Sequence, residues 1–443
     1  MPFFTTGMEG FKKLVKGKRV TVMGLGLLGR GVGDIAFLAK YAKEIIVTDL
    51  KTETQLKESL KQLKKFKNIK YTLGKHDIKD FENRDFILKA AGVPLQSQFI
   101  LHAKKHKIPV YMSTALFAKF SPAKIVGVTG TRGKTTVTYM IYEALRKYHK
   151  SGKVFLGGNI KGMSTLALLP KTRRGDVIVL ELDSWQLQGF GSLKISPNIA
   201  IFTTFMPDHL DYYGGKLKQY AKDKSQIFLN QSKKDVFVIS KQAKKYIKVP
   251  AKTIVVDTGI KLSLCVPGEH NKLNGSLAFV ALKKLGLKNI EIENSLSKFR
   301  GVPGRLELVK NKGGIKIYND TTATTPHATA AALNALGDGK NISLVIGGHD
   351  KNIELKVLKD VIKKHCAFVS VLKSNGGERL IREKILDSAQ RKEFSNFEKA
   401  VKEAYKHVPK GGVLLLSPAF ASFGMFKNEY DRGEQFQEII KKF

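Results

Sequence analysis

At 443 residues, with 42% hydrophobic and 26% charged residues, the chain has the composition of a soluble globular protein too long for one core. No apolar run is long enough to span a bilayer. Met1 to Lys18 lacks the continuous apolar block of a signal peptide, and Cys265 and Cys366 stand alone, so a cytoplasmic protein is the simplest reading. The formal charge of +39 suits anionic ligands, but the lysines are spread along the whole chain and mostly on the polar side of helical patterns. With no helix-turn-helix, zinc-finger or aromatic RNA-binding signature beside them, a solvated lysine-rich surface is favoured over nucleic-acid binding.

In chain order, apolar runs at Arg19 to Met23 and Glu44 to Thr48 read as buried strands, and Gly24-Leu-Gly-Leu-Leu-Gly29 follows the first of them. With Asp49 ending the next strand, this reads as a dinucleotide-type fingerprint, which taken alone suggests NAD. A seam at Phe120-Ser-Pro-Ala123 precedes a fresh strand, Lys124 to Thr129. That strand leads into Gly127-Val-Thr-Gly-Thr-Arg-Gly-Lys-Thr-Thr136, a phosphate-cradling loop. Its glycines allow backbone N–H groups to turn onto phosphate oxygens, and the following helix directs its positive end at them. Within Gly130, Thr131, Arg132, Gly133, Lys134, Thr135 and Thr136, the lysine reaches the terminal phosphates and the Thr135 hydroxyl suits Mg²⁺. This points to ATP.

Further strands are expected at Asp176 to Leu182, Asn198 to Thr203, Ile315 to Tyr318, Ile342 to Ile346 and Gly412 to Leu416, with helical patterns between many of them. Glu181 closes one such strand, where open α/β sheets place ligands, and Pro207-Asp-His-Leu-Asp211 follows the next. A second seam lies at Arg300-Gly-Val-Pro-Gly-Arg305. In Lys216 to Phe228 the apolar positions Leu217, Tyr220, Ala221 and Phe228 define a helix face with Lys224 in its middle. A lysine on a buried face loses hydration, so its amine is pushed toward the neutral, nucleophilic form; snorkelling to the surface is the plainer alternative.

Together these features resemble the Mur ligase family, ATP-dependent amide-forming enzymes of peptidoglycan synthesis, over nearly the whole chain. The resemblance also rests on Gly157-Gly-Asn-Ile160, Glu181-Leu-Asp-Ser-Trp-Gln-Leu187, Gly268-Glu-His-Asn271, Gly304-Arg-Leu-Glu307, Asn319-Asp320, Gly347-Gly-His-Asp-Lys351 and Leu416-Ser-Pro-Ala-Phe-Ala-Ser422. The tail Ser417 to Gly433 is most similar to the glutamate-adding branch. The resemblance implies an α/β fold in three domains. These are a Rossmann-like UDP-sugar domain over 1–120, a central P-loop ATPase-type domain with a mostly parallel sheet over 121–303, and a Rossmann-like amino-acid domain over 304–443.

By the same resemblance Lys224 is N6-carboxylated by CO₂ and holds Mg²⁺, of which two are expected, together with Glu181, His209 and Thr135. Lys134, Glu181, His209 and Lys224 form the expected catalytic set, and Asn271, Arg305 and Asp320 join the loop in binding ATP. Leu27, Leu28 and Asp49 would meet the uracil, Gly92 would allow close backbone approach, and Asn159 and His209 would meet the pyrophosphate or muramoyl portion. Lys351 and Ser422 would grip the carboxylates of the incoming glutamate. The implied substrates are UDP-N-acetylmuramoyl-L-alanine, ATP and D-glutamate, handled by a monomer.

Three positions depart from the family pattern. Arg132 replaces an asparagine in the phosphate loop, Thr322 stands where a lysine is usual, and Glu429-Tyr430 inverts an aromatic-then-acid order. These leave ATP and amide chemistry intact and expose the identity of the amino acid, so L-glutamate or another acidic amino acid is an alternative. Folate polyglutamylation is disfavoured by the UDP-type N-terminal domain. The alternative of a different class is a basic P-loop ATPase acting on nucleic acid.

Overall fold

The computed structural model describes residues 6–27, 29–160, 162–209, 212–260, 262–266, 268–422 and 424–443. The chain divides into two compact units: Met1–Leu262 with Lys272–Leu296, and Ser263–Asn271 with Ser297–Phe443. The first unit contains two sheets and the second contains one.

The first sheet is built from β1 (Arg19–Met23), β2 (Glu44–Asp49), β3 (Ile69–Leu73), β4 (Phe86–Lys89) and β5 (Val110–Tyr111), in the order β3-β2-β1-β4-β5 and parallel throughout. The strand order reverses between β1 and β4, which opens a crevice at their C-terminal ends, the place where such sheets take ligands. The second sheet comprises β6 (Lys124–Thr129), β7 (Val154–Gly158), β8 (Val177–Glu181), β9 (Ile199–Phe202), β10 (Val236–Ser240) and β11 (Ile254–Val256). Its order is β11-β10-β9-β6-β8-β7, again parallel. β6 lies between β8 and β9, so the loop after it sits beside the ends of both neighbours.

The expected strands in this unit form within a residue or two of their apolar runs. β6, β8 and β9 are buried at nearly every position, as parallel strands covered on both faces must be. One continuous apolar core joins the two sheets, running from Phe11, Phe37 and Val47 through Phe117 and Phe120 to Leu180, Phe190 and Phe202. The Phe11 and Phe120 rings meet edge to face at 5.9 Å within it.

The second unit holds β12 (Glu307–Lys312), β13 (Ile315–Asn319), β14 (Ile342–Ile346), β15 (Cys366–Leu372), β16 (Arg391–Phe394) and β17 (Val413–Leu416), in the order β12-β13-β17-β14-β15-β16. Its strands are parallel except β12, which pairs antiparallel with β13 as an edge.

The helix Arg30–Leu38 packs against the segment after β7 with almost no clearance. A Cβ on Gly33 would stand 2.5 Å from Ser164 Cβ, and the neighbouring Asp34 carboxylate accepts a 2.5 Å hydrogen bond from the Ser164 hydroxyl. Gly33→Ala should therefore lower stability by about 1–3 kcal/mol through overpacking of this seam. Thermal unfolding followed by circular dichroism tests this; an unchanged midpoint would refute it.

Candidate functional site

The loop after β6 is held by the chain that follows β9. Thr131 N–H donates to the Thr204 carbonyl at 2.7 Å, Arg132 N–H donates to Thr204 Oγ1 at 2.9 Å, and the buried Thr131 hydroxyl lies 3.1 Å from the Met206 carbonyl. Gly130 has φ of +142°, and any Cβ there would fall 2.0 Å from Thr203 Oγ1, so only glycine fits. Gly133, in the left-handed region, begins the helix Lys134–Tyr148 without a side-chain cap, which leaves the first-turn N–H groups around Thr135 and Thr136 suited to an anion. The Arg132 side chain is exposed at the loop tip; nothing in the structure explains the arginine.

Two lysines converge on one carbonyl of this loop. Lys224 Nζ donates to Gly130 O at 2.8 Å, and Lys134 Nζ donates to the same oxygen at 3.1 Å and to Thr131 O at 3.1 Å. Lys224 is 1% exposed, and its amine lies 4.8 Å from the centre of the Tyr220 ring. Burial first, and the Lys134 charge second, push its amine well below the ordinary lysine range against the opposing pull of Asp183, Asp208 and Glu181. The supporting helix is shorter than the apolar pattern suggests. It spans Leu217–Ser225, so Lys224 sits in its last turn and Phe228 lies beyond it.

Glu181 ends β8 and is buried. Asp183 caps the helix Ser184–Leu193, its carboxylate accepting the Gln186 N–H at 2.7 Å. His209 has φ of +53° and an exposed side chain, with its ring 4.8 Å from that of Trp185, the single tryptophan, and 6.2 Å from that of Tyr220. The Tyr212 ring also lies near Trp185, at 5.3 Å. No hydrogen bond or ion pair among the described residues links His209 to Glu181 or Lys224.

The donor chemistry here fits Mg²⁺. A buried carboxylate on Glu181, a half-buried hydroxyl on Thr135 and an amine on Lys224 driven toward neutrality lie on elements that flank the phosphate loop. Among the described residues no three His, Cys, Asp or Glu side chains group as a cage. Mg²⁺ binds through one or two carboxylates plus substrate phosphates, so such a cage is not required.

A separate pocket occupies the crevice at the ends of β1, β2 and β4, closed on one side by Gly158 and residues 163–165. Leu27 is exposed on its wall, Gly92 lines it with open space where a Cβ would project, and Leu28 lies outside the described residues. Asp49 also lines it, but its carboxylate buttresses the glycine loop, accepting Leu25 N–H at 2.9 Å and Gly26 N–H at 3.0 Å.

Asn159 bridges the two centres. Its N–H donates to the Glu181 carbonyl at 2.8 Å, and its Oδ1 accepts from Arg30 at 2.6 Å. Sequence reasoning missed Lys89, which is 2% exposed at the end of β4. Its ammonium ties down the next loop through Ala90 O (3.2 Å), Ala91 O (3.3 Å) and Val93 O (2.8 Å), and burial lowers its pKa to about 8. Arg30 and Asp34 were missed too, because only the folded chain brings them beside Asn159 and Ser164.

In the second unit, Asp320 is 4% exposed and accepts hydrogen bonds from Leu306 N–H at 3.0 Å and Ser417 Oγ at 2.8 Å. Burial raises its pKa to about 7, opposed by those two donors and by the Arg305 charge. Asn271 is buried in the first turn of the helix Glu269–Lys284, while Arg305 is exposed. Lys351 Nζ donates to Thr324 Oγ1 at 3.2 Å. Ser422 is buried on the segment that Arg432, itself wholly buried, ties to Thr321 by bonds to Thr321 O (2.9 Å) and Phe420 O (3.3 Å). Arg432 was legible only as part of the tail motif. Thr322 donates its N–H to Gly304 O, and Glu429 opens the helix Glu429–Lys441.

Residues 18–112, 128–263 and 304–420 match the families described as "Mur ligase MurD-like, N-terminal domain", "Mur ligase middle domain" and "Mur ligase, glutamate ligase domain". Among curated proteins the chain is 33% identical to UDP-N-acetylmuramoylalanine--D-glutamate ligase of Borreliella burgdorferi, over 96% of this chain and 98% of that one. It is 32% identical to the enzyme of the same name from Acetivibrio thermocellus, over 98% of each chain. Among solved structures, the fold is similar to UDP-N-acetylmuramate-alanine ligase from Thermotoga maritima, with a TM-score of 0.61 at 18% identity over 96% of this chain and 99% of that one. It is also similar to a MurF structure from Acinetobacter baumannii, with a TM-score of 0.59 at 14% identity over 100% of both. With a parallel-sheet P-loop unit, a crevice-bearing N-terminal sheet and relatives matched end to end, the chain belongs to the Mur ligase family.

Proposed function

We propose that this chain joins D-glutamate to UDP-N-acetylmuramoyl-L-alanine in an ATP-driven, ADP-forming ligation that supplies a peptidoglycan precursor. The observation that carries this reading is the convergence of Lys134 and Lys224 on the Gly130 carbonyl, beside the buried Glu181 carboxylate. The substrate assignment is supported by curated relatives named for that reaction and aligned over 96% or more of this chain. We take the domains as 1–120, 121–303 and 304–443, acting as a monomer in the cytoplasm.

The terminal carboxylate of UDP-N-acetylmuramoyl-L-alanine attacks the γ-phosphorus of ATP, and the bond to ADP breaks, giving an acyl phosphate. The glutamate amine then attacks that carbonyl through a tetrahedral intermediate, the amine loses a proton, and phosphate departs. Both steps concentrate negative charge, so the site acts by positioning and electrostatic stabilisation. Lys134 and the N–H groups of the loop hold the phosphates; Gly130, Thr131, Arg132, Gly133, Thr135 and Thr136 frame them, and Asn271, Arg305 and Asp320 hold the rest of the nucleotide. Lys224, kept uncharged by burial and by Lys134, takes up CO₂ on nitrogen with loss of a proton, which replaces an amine by a carboxylate.

That carboxylate, Glu181, His209 and Thr135 would hold Mg²⁺, which supplies positive charge to the phosphoryl oxygens when bound. The crevice of the first sheet takes the UDP end. Lys351 and Ser422 hold the glutamate carboxylates. A second reading, in which L-glutamate or another acidic amino acid is added, is favoured by Thr322, which gives that site one cation fewer than the family pattern, and by Glu429-Tyr430, whose inverted order alters an aromatic wall there.

With ATP, Mg²⁺ and UDP-N-acetylmuramoyl-L-alanine, D-glutamate should yield a glutamyl adduct by mass spectrometry, and phosphate release should require the UDP substrate. An adduct with L-glutamate alone selects the second reading. ATP hydrolysis stimulated by DNA or RNA, with no adduct, would refute both.

Carbon-13-labelled bicarbonate should give a carbamate resonance that Lys224→Ala lacks. That variant should lose activity by about 10³-fold or more and recover part of it with short carboxylic acids. Protonation competes with CO₂ for the amine, so activity should fall on acidification and be partly restored by added bicarbonate. Full activity in Lys224→Ala would overturn the carbamate.

A further inference from the structure

The crevice of the first sheet is lined by four groups able to carry positive charge among the described residues: Arg30, Lys51, His76 and Lys89. Three of them are engaged within the protein. Lys89 uses an ammonium's three donors on the carbonyls of Ala90, Ala91 and Val93. Lys51 stands 3.8 Å from the Asp49 carboxylate. His76 bonds Thr48 Oγ1 at 2.7 Å, and its burial favours the uncharged ring.

Arg30 differs in kind. It is the first residue of the helix Arg30–Leu38, directly after the glycine loop that ends at Gly29. Its Nη1 donates to Asn159 Oδ1 at 2.6 Å, across the seam between the first and second sheets. The atom of Asn159 facing it must be the oxygen, because a guanidinium has donors only. Asn159 is itself fixed by its N–H bond to the Glu181 carbonyl, and the seam around it is closed by Gly33, Ser164 and Asp34. A side chain with several rotatable bonds is thus pinned in the pocket wall by one donor of its fork, with further donors available to a planar or tetrahedral anion.

We infer that Arg30 is a substrate-binding residue that engages the diphosphate of the UDP-linked substrate, held in place for it by Asn159. This rests on the reading that the crevice takes the UDP end. Burial pushes the nearby Asp34 carboxyl up to about 6, and the Arg30 charge acts against that rise, so Arg30 offsets what negative charge Asp34 carries toward an incoming diphosphate.

The test is calorimetric binding of UDP and of UMP to the full chain and to Arg30→Met and Arg30→Lys. The wild type should bind UDP more tightly than UMP. Arg30→Met should weaken UDP about tenfold while changing UMP by less than about threefold, as expected for loss of a charge-assisted contact to the outer phosphate. A merely structural arginine would weaken both alike. A UDP-to-UMP ratio unchanged in a folded Arg30→Met protein overturns the inference but leaves the pocket reading standing. If the wild type binds neither nucleotide, the pocket reading itself fails. Should Arg30→Met not fold, Arg30→Lys decides: it keeps the charge and loses the fork, so its ratio should fall at least about threefold, and an unchanged ratio overturns the proposal.

Discussion

The first unit is organised around one backbone oxygen, that of Gly130, which accepts from two lysines that would repel each other in water. A shared acceptor eases the repulsion only partly, and the remaining tension has an outlet because one of the two amines can discharge. Lys134 is half-buried at a helix start; Lys224, sealed beneath the loop, is the one whose amine burial and the Lys134 charge push well below the ordinary lysine range. Much else follows from holding this geometry. Thr203 and Thr204 fix the loop from one side, Tyr220 walls the buried amine, and β8 delivers Glu181 to the same region.

The second organising element is the seam along the helix Arg30–Leu38. The first two sheets share a core, and polar contacts at its edge connect the crevice to the end of β8 through Arg30, Asn159 and the Glu181 carbonyl. Arg30, on the wall of the crevice, is therefore two hydrogen bonds away, along named atoms, from the residue proposed to hold Mg²⁺.

Much of this was legible in the sequence because parallel strands buried on both faces are apolar throughout, and because a phosphate loop needs glycines at fixed offsets. Lys224 was legible as a charge stranded on an apolar face; the end of its helix at Ser225 was not, since the apolar pattern continues through turns to Phe228. Lys89 escaped notice because a lysine closing the run Phe86 to Lys89 reads as the solvent end of a strand, whereas here the next loop curls back over it. Arg30 and Asn159 are 129 positions apart, and no local pattern reports such a pair. The antiparallel edge β12 also went unseen, its half-exposed residues lacking the continuous apolar signature of the other strands.

The aromatic group around His209 has an optical consequence. Trp185 is the only tryptophan in the chain, and its ring lies in tilted contact with those of His209 and Tyr212. Its buried indole N–H has no hydrogen-bond partner among the described residues. Indole emission shifts with the polarity and charge at its ring, and a protonated imidazole in contact quenches it. All intrinsic tryptophan fluorescence of this protein thus originates at one point, next to the loop that carries Asp208 and His209, so the chain contains its own single-site dye.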